Sequence, residues 1–580
     1  MTTRAIGIDL GTTNSIVACV NDQSRSEIIT DQEGNVVVPS VVFFDAERSA
    51  VGEEARLRGR TMPNRLAACA KRDLGRDAYC QRIGGMLVPP AVIQAYILNH
   101  LRRLIADRIG TDFSAAIGVP AEFNDAQRRA VVEAGEIAGL RMVDLINEPV
   151  AAALAYTEDT AFMQAAGSQA GPHNLLVFDL GGYTFEATAI RMDRGSFVTL
   201  ATSRENALGG HDWDMRLVEH AAKVFQETHG VDLRTDPAAF DQLLGKCAKA
   251  KIALGKHRGA KMSLTRFDQR VDVTITRDEF ARMTSDLVDR TAAIATQTLE
   301  RAGLCWGDVA RVLLVGGATR MPVIRDMIRA HCGREPDISV NPEEAVARGA
   351  ALYAAQRLAA GRGAGAAMEL HLVNMNTHSL GVIGEHGLTG EKKVSVLIPK
   401  GTTLPAKASR EFVTLAKGQK SIGVTVVECD DARPQACVPI GRAVIDDLPE
   451  GLTDHWPVEV TCEYAANGRI KIDAHVRYTD RTAHLEVVRL GGLTSTHVKY
   501  WRAVVAAGRG LSGIREVLAR EAGDGRTTPI ALAKTQAEAA EEPENVILAF
   551  LRRLAPFAFR KPAAGDRESF ELEEDQSASS

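Results

Sequence analysis

The sequence predicts an α/β region over residues 4 to about 357, an all-β region from 370 to about 490, and helices beyond that point. In the first region, apolar strand-like runs such as residues 5–8 and 175–178 alternate with amphipathic helices, which is typical of an α/β fold. In the second region, apolar and polar residues alternate with a period of two, as in an antiparallel sheet with one buried face. After residue 490 the apolar residues return to helical spacing.

Individual elements can be placed from local signals. Asn124 or Asp125 can cap a helix whose apolar face continues until Gly139 ends it. Residues 359–367, AAGRGAGAA, are small and flexible and indicate a linker. The pair Asn467-Gly468 between two alternating runs predicts a type I′ hairpin turn. Beyond residue 490, helices are expected at 495–507, 511–522, 530–542 and 545–554, before an acidic, serine-rich tail that we expect to be disordered.

Length and composition narrow the class of protein. A chain of 580 residues is too long for one hydrophobic core, so two to four domains are expected. The net charge of -5 gives no overall basic field for nucleic acid. Because no run of eighteen or more apolar residues occurs, we expect no membrane span. The N-terminus has the pattern of a strand entering a loop rather than that of a signal peptide.

The cysteines favour a reducing compartment. There are nine, scattered from Cys19 to Cys462, and no CxxC pair occurs. We therefore expect neither a disulfide framework nor a structural zinc site, and we expect a cytoplasmic location. Cys429 and Cys437 are the closest pair, and we interpret them as two small, partly buried residues on adjacent strands.

An internal near-repeat is the strongest functional signal. Residues 6–13 and residues 177–184 each consist of an apolar strand that ends in Asp-Leu-Gly, a small turn with threonine, and the start of a second apolar strand. A single copy would more readily be a structural turn, but two copies with threonine at matched places favour function. The repeat predicts a duplicated fold with two lobes that face a cleft.

These residue types suit phosphate and a metal ion. Glycine lets backbone N–H groups approach phosphate oxygens without a clashing Cβ, and threonine hydroxyls add donors. Asp9 and Asp179 at the strand ends can hold Mg²⁺ through water, because Mg²⁺ gives up its water reluctantly. Neither loop is a Walker motif. Gly316 and Gly317 end a third strand and either admit a nucleoside or form a plain strand-to-helix turn.

Together these residues resemble the seventy-kilodalton heat-shock chaperone family, the DnaK type, of which the chain looks like a divergent member. The matching segments run in the family's order over 4–357, with a weaker match in the β region at 378–382 and 398–406. In the α/β region they are IGIDLGTTNS at 6–15, VPAEFNDAQR at 119–128, INEPVAAALAY at 146–156, FDLGGYTF at 178–185, LGGHDWD at 208–214, LLVGGATRMP at 313–322 and VNPEEAVARGAALYAA at 340–355.

The resemblance implies a fold and domain boundaries. An actin-like, two-lobed ATPase domain with a duplicated ribonuclease-H-like fold would occupy residues 1–357, and an interdomain linker 358–374. A β-sandwich that binds extended peptide would occupy 375–490. A reduced, helical lid-like segment would follow at 491–560, and a disordered acidic tail at 561–580.

The resemblance also implies residue roles. Lys71, Glu148, Asp179 and Thr184 would be catalytic, although the residues around Lys71 by themselves suggest a solvated surface lysine. Asp9 and Asp179 would hold Mg²⁺, and Glu186 and Glu343 stand where the family binds a monovalent cation, so the cofactors are ATP and Mg²⁺ with K⁺ as a further candidate. Pro120 and Arg128 match a switch proline and a relay arginine. The implied nucleotide contacts are Gly11, Thr12, Thr13, Asn14, Gly181, Gly182, Gly209, Gly210, Lys251, Gly316, Gly317, Ala318 and Arg320.

Several positions depart from the family pattern. Tyr183 replaces a glycine of the second phosphate loop, and Ala248 and Gly255 replace polar groups near the adenosine. The segment between Lys71 and Ala115 is short, so we expect one peripheral subdomain to be trimmed. Asp144 reverses the charge of an arginine that meets the J-domain co-chaperone. Elsewhere, Asn374 replaces a linker aspartate, Glu385 replaces an apolar groove residue, and Ile422 keeps one.

Two functions follow from this comparison. The first is an ATP-driven chaperone for unfolded polypeptide, with a J-domain co-chaperone and a nucleotide exchange factor as candidate partners and with no nucleic acid or membrane partner. The second is a nucleotide-binding scaffold or regulatory co-chaperone with weak or uncoupled ATPase, which Tyr183, Asp144, Asn374 and Glu385 favour. The β region and the matched segments argue against a small-molecule kinase of the same fold, and nothing indicates the polymer interface of a filament protein.

Overall fold

A computed structural model describes the fold of most of the chain. The predicted helices at 530–542 and 545–554, the acidic tail, the turn at Asn467-Gly468, Asn374 and the side chain of Glu385 lie outside the described residues. The described residues are 3–158, 172–193, 196–360, 371–373, 375–385, 392–414, 417–418, 420–429, 437–445, 448, 452–453, 455–465, 470–486 and 493–523. Within these ranges no helix is long and apolar enough to cross a membrane.

The first α/β unit, residues 3–158, is built on a sheet of mixed direction. Its strands, with those of a small neighbouring sheet, are β1 (Arg4–Leu10), β2 (Asn14–Val20), β3 (Ser26–Ile29), β4 (Val38–Pro39), β5 (Val41–Phe44), β6 (Ser49–Val51), β7 (Leu66–Ala68), β8 (Phe113–Val119) and β9 (Met142–Asn147). The main sheet has the order β3-β2-β1-β8-β9, with β4 beside β2, and the small sheet has the order β6-β5-β7. β1 is antiparallel to β2 and parallel to β8.

The second α/β unit, residues 172–343, repeats this connectivity. Its strands are β10 (His173–Leu180), β11 (Phe185–Asp193), β12 (Ser196–Glu205), β13 (Gly259–Arg266), β14 (Gln269–Thr276) and β15 (Val309–Val315). A later strand, β16 (His371–Val373), extends the sheet to the order β15-β10-β11-β12-β16. β10 is antiparallel to β11 and parallel to β15, as β1 is to β2 and β8. The segment just before the β region is therefore hydrogen-bonded to the second unit.

Helices cover both sheets. In the first unit they are α1 (Glu53–Gly59), α2 (Pro90–Ile109), α3 (Asp125–Ala138) and α4 (Glu148–Tyr156). In the second they are α5 (Gly210–His229), α6 (Pro237–Lys256), α7 (Arg277–Met283), α8 (Ser285–Arg301) and α9 (Pro322–Cys332), and α10 (Ala345–Ala360) follows. Asn124 caps α3, accepting a hydrogen bond from the Gln127 backbone N–H, and Gly139 ends the helix in the left-handed region. The predicted start and end of this helix are confirmed.

Helices α4 and α10 join the two units through very close packing. A Cβ on Gly349 would lie 1.7 Å from the Ala151 carbonyl oxygen, and a Cβ on Gly7 would lie 2.1 Å from that of Ala347. Only glycine permits such an approach of α10 to α4 and to β1. Apolar residues of α4, α10, β10 and β15 share one cluster, so the two sheets are held at a fixed separation.

The β region, residues 375–486, consists of two four-stranded sheets around one core. Its strands are β17 (Ser379–Glu385), β18 (Lys392–Ile398), β19 (Ala406–Val413), β20 (Ile422–Cys429), β21 (Cys437–Ile445), β22 (Pro457–Tyr464), β23 (Ile470–Val476) and β24 (Thr482–Glu486). The orders are β18-β17-β20-β21 and β19-β22-β23-β24. Burial alternates residue by residue along β22, as the period of two predicts. Leu380 and Val426 of one sheet share a cluster with Val460 and Ile472 of the other.

One cysteine expectation is wrong. Cys429 and Cys437 lie directly opposite each other on β20 and β21, as predicted, but their sulfurs form a disulfide. The sequence suggested no pair because only strand register brings two cysteines eight residues apart within bonding distance. No other cysteine of the described residues takes part in a disulfide.

The C-terminal hairpin consists of α11 (Ser495–Ala506) and α12 (Leu511–Gly523), and it packs on the first α/β unit. Trp501, Val505 and Ile514 are fully buried and belong to the same cluster as the apolar residues of α2 and β8. Leu511 also lies against Gly84 in the short segment before α2. The hairpin therefore covers the place where the sequence predicts a trimmed subdomain.

Candidate functional site

Two matched hairpin loops define a cleft between the α/β units. Residues 11–14 connect β1 to β2, and residues 181–184 connect β10 to β11. The strand register is the same in both, since Leu10 pairs with Ser15 and Leu180 pairs with Phe185. The near-repeat of the sequence is therefore also a structural repeat.

The cleft collects most of the residues predicted to bind phosphate and metal. The predicted residues on its wall lie at strand ends, in loops or at the start of a helix: Asp9, Gly11, Thr12, Thr13, Asn14, Lys71, Glu148, Asp179, Gly181, Gly182, Thr184, Gly316, Gly317 and Glu343. Pro120, Tyr183 and Arg204 also line it.

Glycines allow the loops to approach one another. A Cβ on Gly182 would lie 2.2 Å from the Thr13 hydroxyl oxygen on the opposite loop. Gly316 has a φ of +82°, and a Cβ there would lie 2.3 Å from the Leu180 carbonyl oxygen. The glycines thus let the loops approach each other more closely than residues with a Cβ would allow.

The floor of the cleft carries buried carboxylates. Burial, reinforced by the Glu148 carboxylate, raises the pKa of Asp9 to about 7, although Lys71 opposes the shift. Burial and the neighbouring carboxylates of Glu148, Glu186 and Asp9 raise the pKa of Asp179 well above its ordinary value. This negative charge suits a bound cation. Among the described residues, no group of three or more His, Cys, Asp or Glu side chains is arranged to hold a metal ion. The two carboxylates at the ends of the matched strands are ligands of the type that Mg²⁺ takes, directly or through water.

Lys71 is buried, not solvated. It lies on the short 3₁₀ turn Ala70–Asp73, and its Nζ donates to Glu148 Oε1 at 2.7 Å. The two side chains are only 6% and 13% exposed. The interpretation of Lys71 as a surface lysine, which local sequence alone suggested, is wrong, because tertiary packing brings residues 71 and 148 together.

The two glutamates predicted to bind a monovalent cation have different surroundings. Glu343 lies on the cleft wall and pairs with Arg320 at 3.1 Å. Glu186 is buried beside the cleft, where it accepts a hydrogen bond from the Ala121 backbone N–H at 3.3 Å and lies 3.5 Å from Arg204 Nη1. Burial raises the pKa of Glu186 to about 7 despite that guanidinium.

The residues predicted to contact the nucleoside converge on the second unit next to Gly316 and Gly317. Lys251 Nζ donates to the Gly210 carbonyl oxygen at 2.6 Å and to Asp214 Oδ2 at 2.8 Å. A Cβ on Gly210 would lie 3.2 Å from the Cβ of Ala318. Gly209 approaches the second loop, since a Cβ there would lie 2.5 Å from the Tyr183 backbone.

Sequence reasoning missed Arg204 and the surroundings of Tyr183. Arg204 lies directly opposite Glu186 in the β11/β12 register, so a correct strand pairing would have found it. The Tyr183 ring lies against His211 with ring centroids 5.0 Å apart, and the Arg72 guanidinium lies 5.5 Å from its centroid. The tyrosine that replaces a phosphate-loop glycine is therefore held by ring and cation contacts.

The matched hairpins, the glycine-rich loops and the buried lysine agree with a comparison to known families. The chain matches the family model described as Hsp70 protein over residues 5–545. The chain belongs to the Hsp70 family. Membership carries with it a chaperone-type function and, in general, ATP hydrolysis with ATP and Mg²⁺.

A partly buried arginine lies between the cleft of this Hsp70 protein and its β region. Arg128 donates to the carbonyl oxygens of Phe123 and Ala121 at 3.0 and 3.2 Å and to Asn147 Oδ1 at 2.8 Å. Desolvation lowers its pKa, and the nearby Glu428 of the β region opposes the shift. Ala121 in turn donates to Glu186, so polar contacts run from the cleft wall to the β region.

Asp144, the position of the charge reversal, is occupied by contacts within the chain. Its Oδ2 accepts a hydrogen bond from the Tyr353 hydroxyl at 2.9 Å and lies 3.6 Å from Arg357 Nε. Its side chain is 11% exposed. Asp144 is therefore paired with two side chains of α10.

Proposed function

We propose that this Hsp70 protein hydrolyses ATP to control the binding and release of unfolded polypeptide. The single observation that carries the proposal is the pair of matched loops that face each other with Asp9, Asp179 and the Lys71–Glu148 pair between them. We assign residues 1–357 to an actin-like, two-lobed ATPase domain and 375–490 to a β-sandwich that binds peptide. Residues 358–374 are the linker, 491–560 a reduced lid-like segment, and 561–580 an acidic tail.

Residue roles in the cleft follow from their positions. Residues 11–14 and 181–184 bind phosphate oxygens through backbone N–H groups and threonine hydroxyls. Asp9 and Asp179 would hold Mg²⁺ through water, and the bound ion would supply positive charge at the phosphates. The Lys71 ammonium stabilises the charge of the transferring phosphoryl group, and Glu148, which it positions, orients the attacking water. Thr184 adds a hydroxyl donor to the phosphate loop.

The nucleoside is proposed to lie on the second unit. The nucleoside would pack against the backbones of Gly316 and Gly317, where no Cβ blocks its approach. Arg320 and Lys251 would supply polar side chains beside the nucleoside. The polar contacts from Glu186 through Arg128 to Glu428 are the proposed route by which the nucleotide state biases the β region. A nucleotide exchange factor remains a proposed partner, whereas the contacts of Asp144 argue against ordinary J-domain docking at that position.

A second candidate function is a scaffold or regulatory co-chaperone with weak or uncoupled ATPase. Tyr183 favours it, because a held aromatic ring occupies a phosphate-loop position where the family has glycine. The buried packing of the C-terminal hairpin also favours it, because a movable lid would have to leave that core.

Single-turnover ATP hydrolysis with and without an unfolded peptide tests the proposal. Hydrolysis that the peptide accelerates, and that falls about 10²-fold or more in Lys71→Ala, supports the coupled chaperone. Lys223→Ala, which removes an exposed lysine on α5, is the matched control and should change nothing. Tight ATP binding with negligible turnover, unaffected by peptide, would favour the scaffold instead.

A further inference from the structure

Arg204 occupies an unusual place for a guanidinium in a cleft built to bind phosphate. It lies on β12 directly opposite Glu186 on β11, and its Nη1 is 3.5 Å from Glu186 Oε2. The two side chains are 11% and 7% exposed. Arg204 nevertheless lines the same cleft as Lys71, Glu148 and Asp179.

The guanidinium is held from three sides. Its Nε donates to Asn206 Oδ1 at 2.8 Å, its Nη1 faces Glu186, and its Cζ lies 5.8 Å from the centroid of the Phe123 ring. Lys71 Nζ lies 5.9 Å from the same ring. The two buried cations of the cleft are thus spaced around one aromatic side chain, and neither can move far without losing its partners.

Both carboxylate oxygens of Glu186 already have partners within the chain. Its Oε1 accepts from the Ala121 backbone N–H at 3.3 Å and lies 3.5 Å from the Thr188 hydroxyl, while Oε2 faces Arg204. A monovalent cation bound there would displace these contacts and would lie beside a like charge. The residues present therefore do not fit the K⁺ that the sequence resemblance suggested at Glu186.

We propose that Arg204 is a fixed internal cation that takes the place of a monovalent cation beside Glu186. It positions that carboxylate and adds a permanent positive charge to the phosphate end of the cleft. ATP turnover should consequently not require K⁺. The inference rests on the proposed ATPase function and adds to it the cation requirement of the site.

The position of Arg204 agrees with this assignment. Its guanidinium lies beside a buried carboxylate, in a cleft whose wall also carries Asp9, Glu148 and Asp179, and such a place favours a positive charge. Removing Arg204 leaves a buried, unpaired carboxylate and one further negative charge, and such a site attracts a cation from solution.

The test compares ATP turnover and ATP binding in potassium chloride and in choline chloride. We expect the wild-type kcat and KM to agree within about twofold in the two salts, because the positive charge is built in. Arg204→Ala should lose about tenfold or more of kcat in choline chloride and recover most of it in potassium chloride or in millimolar guanidinium chloride. Arg204→Lys should retain cation independence, since it keeps a positive charge.

Arg191→Ala is the matched control, since Arg191 is an exposed arginine on the adjacent strand β11. The thermal midpoint of each variant checks folding. If Arg204→Ala does not fold, Arg204→Gln, which keeps a polar side chain opposite Glu186 but removes the positive charge, replaces it and should show the same dependence on K⁺. A wild-type protein that needs K⁺, or an Arg204→Ala variant equally active in both salts, would overturn the proposal. If the wild type does not hydrolyse ATP at all, the ATPase proposal fails, and the salt dependence of ATP binding still tests the role of Arg204.

Discussion

The C-terminal hairpin and the β region both contact the first α/β unit, but the chemistry of the two contacts differs. The hairpin shares a hydrophobic cluster with α2 and α3, and its turn is hydrogen-bonded to the β5–β6 connection through backbone groups. The Ser49 N–H donates to the Gly508 carbonyl oxygen at 2.9 Å, and the Leu511 N–H donates to that of Asp45 at 2.8 Å.

The β region makes polar contacts instead. His378 Nε2 lies 3.1 Å from the Glu122 carbonyl oxygen, and the Asp125 backbone N–H donates to Glu428 Oε2 at 3.1 Å. Partly buried Arg128 lies near the same glutamate. Apolar burial and backbone pairing stabilise one arrangement, whereas buried titratable groups change their contribution with protonation. The comparison indicates a permanent attachment of the hairpin and an adjustable attachment of the β region.

The largest expected effect tests the permanence of the hairpin. Trp501 is fully buried in the shared cluster and donates to Glu521 Oε1 at 2.9 Å. Trp501→Ala should lower the free energy of unfolding by about 3–5 kcal/mol, because it leaves a cavity and removes the indole hydrogen bond to a buried carboxylate. Urea unfolding measures this loss of free energy. Hydrogen exchange measures how much protection the backbone amides of α2 lose.

Lys499→Ala, which removes an exposed side chain of the same helix, is the control and should have little effect. If Trp501→Ala lowers hydrogen-exchange protection in the hairpin while α2 keeps its full protection, the hairpin unfolds as a separate unit. Its attachment to the first α/β unit is then not permanent.

The second prediction concerns the β region alone. The Cys429–Cys437 disulfide closes a short loop next to Glu428, so Cys437→Ser should destabilise the β region by about 2.5 kcal/mol. Reduction of the disulfide by an added dithiol should cause the same loss of stability in the wild type. The dithiol should have no effect on the stability of the Cys437→Ser variant. Cys80→Ser, at an exposed free cysteine, should behave as wild type. An equal loss of protection in the C-terminal hairpin would mean that the two attachments are not independent.

The third prediction concerns the turn of the hairpin. A Cβ on Gly510 would lie 2.1 Å from the Asp45 carbonyl oxygen. Gly510→Ala should therefore break the backbone pairing of the turn and cost about 2 kcal/mol, as overpacking does elsewhere. Gly245→Ala is the control, because this exposed helical glycine has open space around it and should tolerate a methyl group. A Gly510→Ala protein as stable as wild type would show that the turn does not need its close approach.

The smallest effect concerns pH and the β region. Burial raises the pKa of Glu428 from 4.5 to about 7, although His378 opposes the shift. The docked form therefore binds more protons than an undocked form between these values, so docking should weaken as the pH rises from about 4.5 to about 7 and should level off above that value. The change cannot exceed about 1.4 kcal/mol per pH unit for one group.

Proteolysis of the segment between α10 and β16, measured from pH 6 to pH 8 under constant ionic strength, reports this docking. Glu428→Gln should remove the part of the pH dependence of docking that Glu428 causes. Glu411→Gln, at an exposed carboxylate of β19, is the control and should leave the pH profile unchanged. A wild-type profile that matches the Glu428→Gln profile would show that Glu428 does not titrate with docking.

Much of the architecture was accessible from the sequence because it depends on local pattern. The strand-helix alternation, the Asn124 cap, the period of two in the β region and the near-repeat at residues 6–13 and 177–184 are local signals, and the structure agrees with each of them. The resemblance to the chaperone family predicted that Lys71 is part of the cleft, whereas the residues around Lys71 by themselves suggested a solvated surface lysine. Arg204 was missed because its partner lies on another strand, and the cysteine pair was misjudged for the same reason.

The sequence by itself determined the order of elements, the two matched hairpin loops and membership of the Hsp70 family. These features depend on glycines, helix caps and hydrophobic periods, which act within short stretches of chain. Only the tertiary structure decided which charges meet in the cleft and which surfaces join. The Lys71–Glu148 and Arg204–Glu186 pairs, the disulfide and the attachment of the C-terminal hairpin all depend on strand register or on contacts between distant residues. Such contacts form through three-dimensional packing, which no local pattern records.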